Sequence, residues 1–153
     1  MRSITRPFAL LLFLTTACIL PCSAVDKVSD LNEQQILQME QRAEQANPRD
    51  QCFLYTELVS AMTDLAGRQY REGEADNASA TLKKVAKYAQ LIQDHLSRDT
   101  KRLKNAEQLM HHTTYRLNEY LRSASYEDRA TLQATLKQLN QVQSQLLTQV
   151  FSH

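Results

Sequence analysis

From Ala78 onward the apolar positions keep one rhythm. Ala78, Leu82, Val85, Ala89, Ile92, Leu96, Asp99, Leu103, Ala106, Met110, Thr113, Leu117, Tyr120 and Ala124 follow one another in alternating steps of four and three. Only Asp99 and Thr113 among them are neither apolar nor Tyr. A seven-residue repeat held without a slip predicts one seam turned toward partner helices in left-handed packing. The spacing therefore predicts a single helix over 77–123, about 69 Å long at the usual rise per residue. A break near Ser97-Arg98-Asp99, capping a new helix, is the alternative.

Leu132, Leu136, Leu139, Gln143, Leu146 and Val150 continue the same step and predict a helix over 126–151. Ser125 is its expected N-cap, with Asp128 at the third position. Upstream, Asp30 with Glu33 reads as a capping box for a helix over 31–46. Asn47 followed by Pro48 starts a helix over 48–72, which Gly73 ends in the left-handed conformation. Asp76 or Asn77 caps the long helix. After residue 24 the chain holds two glycines, Gly67 and Gly73, and one proline, Pro48. Strands would need turn residues about every ten positions, and none are present. The expected fold class is all-α.

Charge adds an arrangement. Residues 25–76 carry 5 basic and 11 acidic side chains, residues 77–105 carry 7 and 2, and residues 106–153 carry 4 and 4. The short turn at Gly73 folds 48–72 back along the first half of 77–123, and opposite charge favours that pairing over wrong ones. The cluster Lys83, Lys84, Lys87, Arg98, Lys101, Arg102 and Lys104 is read as the internal complement of the acidic half, not as a nucleic-acid patch. Helix 126–151 folds back over the second half. The joint Asn47-Pro48 suits a kink better than a reversal, so 31–46 is expected to continue past 48–72 and lie beside that second half. Asp99 then faces the positive end of helix 48–72. The expectation is an elongated antiparallel bundle of three to four helices, built on one long heptad-patterned helix.

Residues 1–24 have the layout of a secretory signal. Arg2 and Arg6 precede an apolar run from Phe8 to Leu20, and Cys22-Ser23-Ala24 offers small residues for cleavage. The run is short for a membrane span. Thr15-Thr16-Ala17-Cys18 is the competing feature, a lipoprotein-like box that would lipidate Cys18. The expectation is export to a bacterial periplasm or the extracellular space, with a single helical domain over 25–153. A membrane enters only through lipidation of Cys18 or an uncleaved signal. Cys52 is then the sole cysteine, which excludes an intrachain disulfide and suits a small buried residue. Near-neutral charge gives no general reason to expect nucleic acid.

Candidate chemistry changes the picture little. His111 and His112 are adjacent on a helix and point about 100° apart, so one rigid helix cannot turn both on one ion. Glu107 with His111, and His95 with Asp99, share faces but make at most half a metal site each. The histidines are read as solvated. No Gly-x-Ser-x-Gly and no phosphate-cradling glycine loop is present. No catalytic, cofactor-binding or metal residue is assigned, no cofactor is expected, and an enzyme is not expected.

Two resemblances complete the reading. Gly67-x-x-Tyr70 followed by Ala78, Leu82 and Val85 resembles one tetratricopeptide unit, once, over about 25 residues. That resemblance implies peptide binding on a concave surface built by several units. Leu31-Asn32-x-x-Gln35 and Leu139-Asn140-x-x-Gln143 are similar to the Leu-Thr-x-x-Gln repeats of small periplasmic envelope-stress chaperones, with Asn in place of Thr. The leading expectation is a non-enzymatic exported protein that acts through helix-mediated contacts with a protein partner or with itself. From Leu132 on, Lys137 is the only charged side chain before the terminal His153. A chaperone-like or peptide-binding module is the alternative.

Overall fold

A computed structural model of the chain describes residues 24–96 and 100–152. Among them are five helices and no strand. They are α1 (Ala24–Gln45), α2 (Pro48–Glu72), α3 (Ala75–His95), α4 (Leu103–Ser123) and α5 (Tyr126–Phe151). The all-α class holds. The signal segment with Cys18 and Cys22, and the step Ser97-Arg98-Asp99 with the carboxylate assigned to the start of α2, lie outside the described residues.

Several ends form where local chemistry places them. The Asn47 side-chain oxygen accepts from the Arg49 N–H at 3.0 Å, and Pro48 follows in the first turn. Gly73 closes α2 at φ 83°, with its N–H directed to the carbonyls of the last turn. Ser125 Oγ accepts from the Asp128 N–H at 3.2 Å and donates to the Asp128 carboxylate at 2.6 Å. Two starts differ from expectation. α1 already begins at Ala24, so Asp30 lies within the helix and does not cap it. α3 begins at Ala75 after Glu74, and Asn77 donates to the Glu74 carboxylate at 3.1 Å without capping the backbone.

The expected continuous helix over 77–123 is two helices. α3 ends at His95 and α4 starts at Leu103, so the chain takes the alternative break. Arg102 begins α4 in the left-handed region at φ 57°, with its guanidinium 4.5 Å from the centre of the Phe53 ring. Next to it the Lys101 N–H donates to the Arg49 carbonyl at 2.9 Å. These contacts fix the start of α4 beside the start of α2. The second half of the heptad sequence thus returns beside α2 and does not extend the bundle.

Side-chain pairs set the directions. α3 runs antiparallel to α2. Thr81 donates to the Gln69 side chain at 2.8 Å near their turn, and further along Tyr88 and His95 each lie 5.8 Å, ring to ring, from Tyr55. α4 runs parallel to α2, from Arg49 at its start to Gly67, on which Tyr120 rests. α5 returns antiparallel to α4, and Gln138 donates across to the Ala86 carbonyl of α3 at 2.8 Å. α3 and α4 follow one another in sequence, yet their backbones do not pair. They sit on one diagonal of a four-helix arrangement in which α2 and α5 take the other.

The central element is α2, not the heptad segment. Leu58, Val59 and Met62 are fully buried, and neighbouring positions around the helix, from Cys52 to Thr56, are buried as well. A helix apolar nearly all round belongs inside, and each large side chain withdrawn from water contributes about 2 kcal/mol. Four buried threonine hydroxyls are satisfied within their own helix. Thr56, Thr63, Thr113 and Thr135 each donate to the carbonyl four residues back, at 2.8–2.9 Å.

α1 also departs from expectation. It does not run on past α2; it reverses over Ala46 and Asn47 and packs back along α2. Ile36 and Ala43 are buried there, and Gln51 donates to the Ala43 carbonyl at 3.3 Å. The reversal is favourable because Ile36 and Ala43 find apolar cover on α2, which a kinked extension would deny them.

Candidate interaction surface

α5 turns Leu132, Thr135, Leu139, Val142 and Leu146 into the core. This line is rotated from the expected seam, so Leu136, Gln143 and Val150 lie half-buried at its margins. The outward stripe of Gln133, Lys137, Asn140, Gln141, Ser144 and Thr148 is exposed. Lys137 is its one charge. Four residues apart at the end of the helix, Leu147 and Phe151 are 42% and 81% exposed and share a face.

Shallow grooves flank this stripe on both sides. Toward α3 lie two adjoining hollows of about 880 and 620 Å³, where Gln90 and Gln93 stand opposite Ser144 and Gln145. Toward α4 lies a hollow of about 390 Å³, lined by Thr114, Tyr115, Asn118 and Asn140 among others. Leu136 and Asn140 border the grooves on both sides. The α4 side is held in place by a polar cluster. Thr114 donates to the Gln143 side chain at 3.0 Å, and the Gln143 amide meets His111 Nδ1 at 2.9 Å. Each amide offers both donors and an acceptor, so this surface can pair with polar backbone, and its charges are few: Lys137 on the stripe and Asp94 in the α3 groove.

The other residues singled out by sequence fall elsewhere. His111 and His112 are exposed, with rings edge-on at 5.9 Å. His95 is not a solvated histidine; it is half-buried and stacked on Tyr55. Among the described residues no three His, Cys, Asp or Glu side chains are grouped as a metal site. Cys52 is fully buried, and burial pushes its thiol up to about 12. Burial likewise raises the Tyr88 hydroxyl to about 12, assisted by the nearby Glu40 carboxylate.

Of the basic cluster, Lys101 makes the expected pairing with the acidic half, to Asp50 of α2 at 3.9 Å, whereas the lysines of α3 do not. Lys83, Lys84 and Lys87 occupy the face of α3 opposite Leu82, Val85 and Ala89 and are exposed. Among the described residues they pair with no carboxylate of α2, and Lys87 lies 5.1 Å from the centre of the Tyr88 ring. A further ion pair reaches α2 from α4, Arg116 with Asp64 at 2.6 Å. The hairpin that resembles a tetratricopeptide unit does form, but Gly67 within it is occupied by Tyr120 of α4, outside the hairpin. Sequence reading missed Gln90 and Gln93, whose only signal was a polar position off the seam.

Comparison with protein families, curated proteins and solved structures finds no match.

Proposed function

We propose that this is an exported, non-enzymatic helical bundle that works by docking a polypeptide partner on the outward face of α5 and its flanking grooves. The observation that carries the reading is the composition of that face. Amides and hydroxyls cover it, Lys137 is its single charge, and Leu147 with Phe151 supplies an exposed apolar end. Charge depletion at the centre with an aromatic anchor is the composition of a protein interface core. The opposite face of α3, with Lys83, Lys84 and Lys87, has the composition of an ordinary solvated surface. Export rests on the charged, apolar and small-residue order of residues 1–24.

The test is photo-crosslinking in the producing cell, with the crosslinker placed at Asn140 or at Lys84. The expected result is discrete protein adducts from position 140 and none from position 84. Ser144→Glu, on an exposed site that leaves the core untouched, is expected to abolish the adducts. Equal patterns from both positions would overturn the proposal.

A further inference from the structure

The backbone of α1 lies against one neighbour, α2, whereas every other helix has at least two. Among its described side chains only Ile36 and Ala43 are buried, and Leu37 is 55% exposed. An open groove of about 670 Å³ runs along its flank, between Gln38 and Arg42 on one side and Leu54 and Arg102 on the other. Gln51 reaches the carbonyls of Ala43 and Glu44 at 3.3 and 3.4 Å, and the Glu40 carboxylate lies near the Tyr88 hydroxyl. The seat is specific, but over residues 33–45 it buries only Ile36 and Ala43.

The joint to α2 is equally economical. Only Ala46 and Asn47 separate the two helices. Pro48 holds the residue before it extended, and Asn47 has φ −58° and ψ 138°. Pro48 has no N–H, and the Asn47 cap belongs wholly to α2. α1 can therefore swing about Ala46 without breaking a backbone hydrogen bond of α2, giving up only the Gln51 side-chain bonds to Ala43 and Glu44. The same two residues that reverse the chain here also suit the kinked, open course.

We infer that α1 is an exchangeable arm, and that the other occupant of its seat is the α1 of a second copy of this chain. With the joint open, each arm lies along the partner copy's α2. There Ile36 and Ala43 bury, and Glu40 meets Tyr88, just as they do in the closed chain. The contacts are self-complementary because they are this chain's own, and the resulting pair is two-fold symmetric. Short joints between packed elements favour such exchange. The closed form prevails in dilute solution, and mass action raises the exchanged form with concentration.

The experiment is light scattering on the purified chain from micromolar to near-millimolar concentration, with two changes at the joint. A flexible Gly-Ser insert after Ala46 relaxes the reversal, while Asn47→Ala with Pro48→Ala favours the open course. The dimer dissociation constant is expected to rise about tenfold with the insert and to fall about tenfold with the double substitution. A crosslinker at Met39, which packs against the core, keeps the test sound if a joint variant fails to fold. With isotopically light and heavy chains mixed in equal amounts and re-equilibrated, about half of its products in the wild-type dimer must join light to heavy. A dimer indifferent to both changes, crosslinks within one chain of the dimer, or no dimer at any concentration in either wild type or double variant overturns the inference.

Discussion

The ring of Tyr120 lies across the backbone of Gly67, so α4 approaches α2 where α2 carries no Cβ. A methyl group at Gly67 would overlap the outer half of that ring. Gly67→Ala is expected to lower stability by about 1–2 kcal/mol, because Tyr120 must swing away. It would also lose the Arg71 guanidinium, now 5.9 Å from its ring centre. In a Tyr120→Ala background the sign reverses. There the same substitution is expected to add about 0.5–1 kcal/mol, since Ala is the better helix former. Urea unfolding of the four chains reads both signs, and equal losses in the two backgrounds would refute the role given to the ring.

Arg116 ties α4 to α2 through two donors. Nη1 meets Asp64 and Nη2 meets Ser60 Oγ, each at 2.6 Å. The ion pair is about a third exposed, so solvent screens it. Asp64→Ala is expected to cost about 1 kcal/mol, with most of that loss shared with Arg116→Ala in a double-mutant cycle. The coupling is expected to shrink in high salt; strict additivity at low salt would count against the bridge.

Gly73→Ala is expected to cost about 1–2 kcal/mol with no change in packing. The space around Gly73 is open, so the whole cost is backbone strain at φ 83°. Gly73→Asn is expected to lose less, because Asn tolerates this region better. Thermal unfolding of both variants gives the ranking, and an equal loss would locate the cost elsewhere.

Alkaline conditions are expected to weaken the fold. The buried Cys52 thiol is raised from 9.0, and the buried Tyr88 hydroxyl from 10.0, each to about 12. The unfolded chain therefore ionises first. The stability these neutral groups contribute is whole below pH 9 and is lost as pH climbs toward 12, by an amount on the order of a few kcal/mol. Cys52→Ala is expected to delay the onset of this loss to about pH 10, where Tyr88 begins. Stability curves that coincide in shape for the two chains above pH 9 would show that the thiol contributes nothing.

Much of the fold was legible. Asn47, Pro48, Gly73 and Ser125 marked their helix ends correctly because capping is local chemistry. The seam from Ala78 to Leu117 also identified inward residues, for Leu82, Val85, Ile92, Ala106, Met110 and Leu117 are all buried. What the seam hid was the interruption within it. Residues 96–102, between His95 and Leu103, make up one whole heptad. A link of that length leaves the phase of the pattern unchanged, and periodicity reports phase, not continuity. The reversal of α1 was illegible for another reason. Asn47-Pro48 restricts one torsion and leaves the direction of the chain to whatever apolar cover is near. The interaction surface was half visible. The low charge of α5 stood out in the sequence, whereas its pairing with Gln90 and Gln93 depends on α3 and α5 sharing an edge, a matter of tertiary topology.

That α3 and α4 are consecutive yet do not pair has a consequence for assembly. α2 with α3, and α4 with α5, are each closed by a short turn and can collapse early from contacts near in sequence. The diagonal link contributes no helix pairing of its own and serves to keep the two halves at high local concentration. A chain severed between Leu96 and Leu103 should therefore yield two fragments that fold only on meeting and recover the intact helix content at equimolar mixing, as split-protein complementation does.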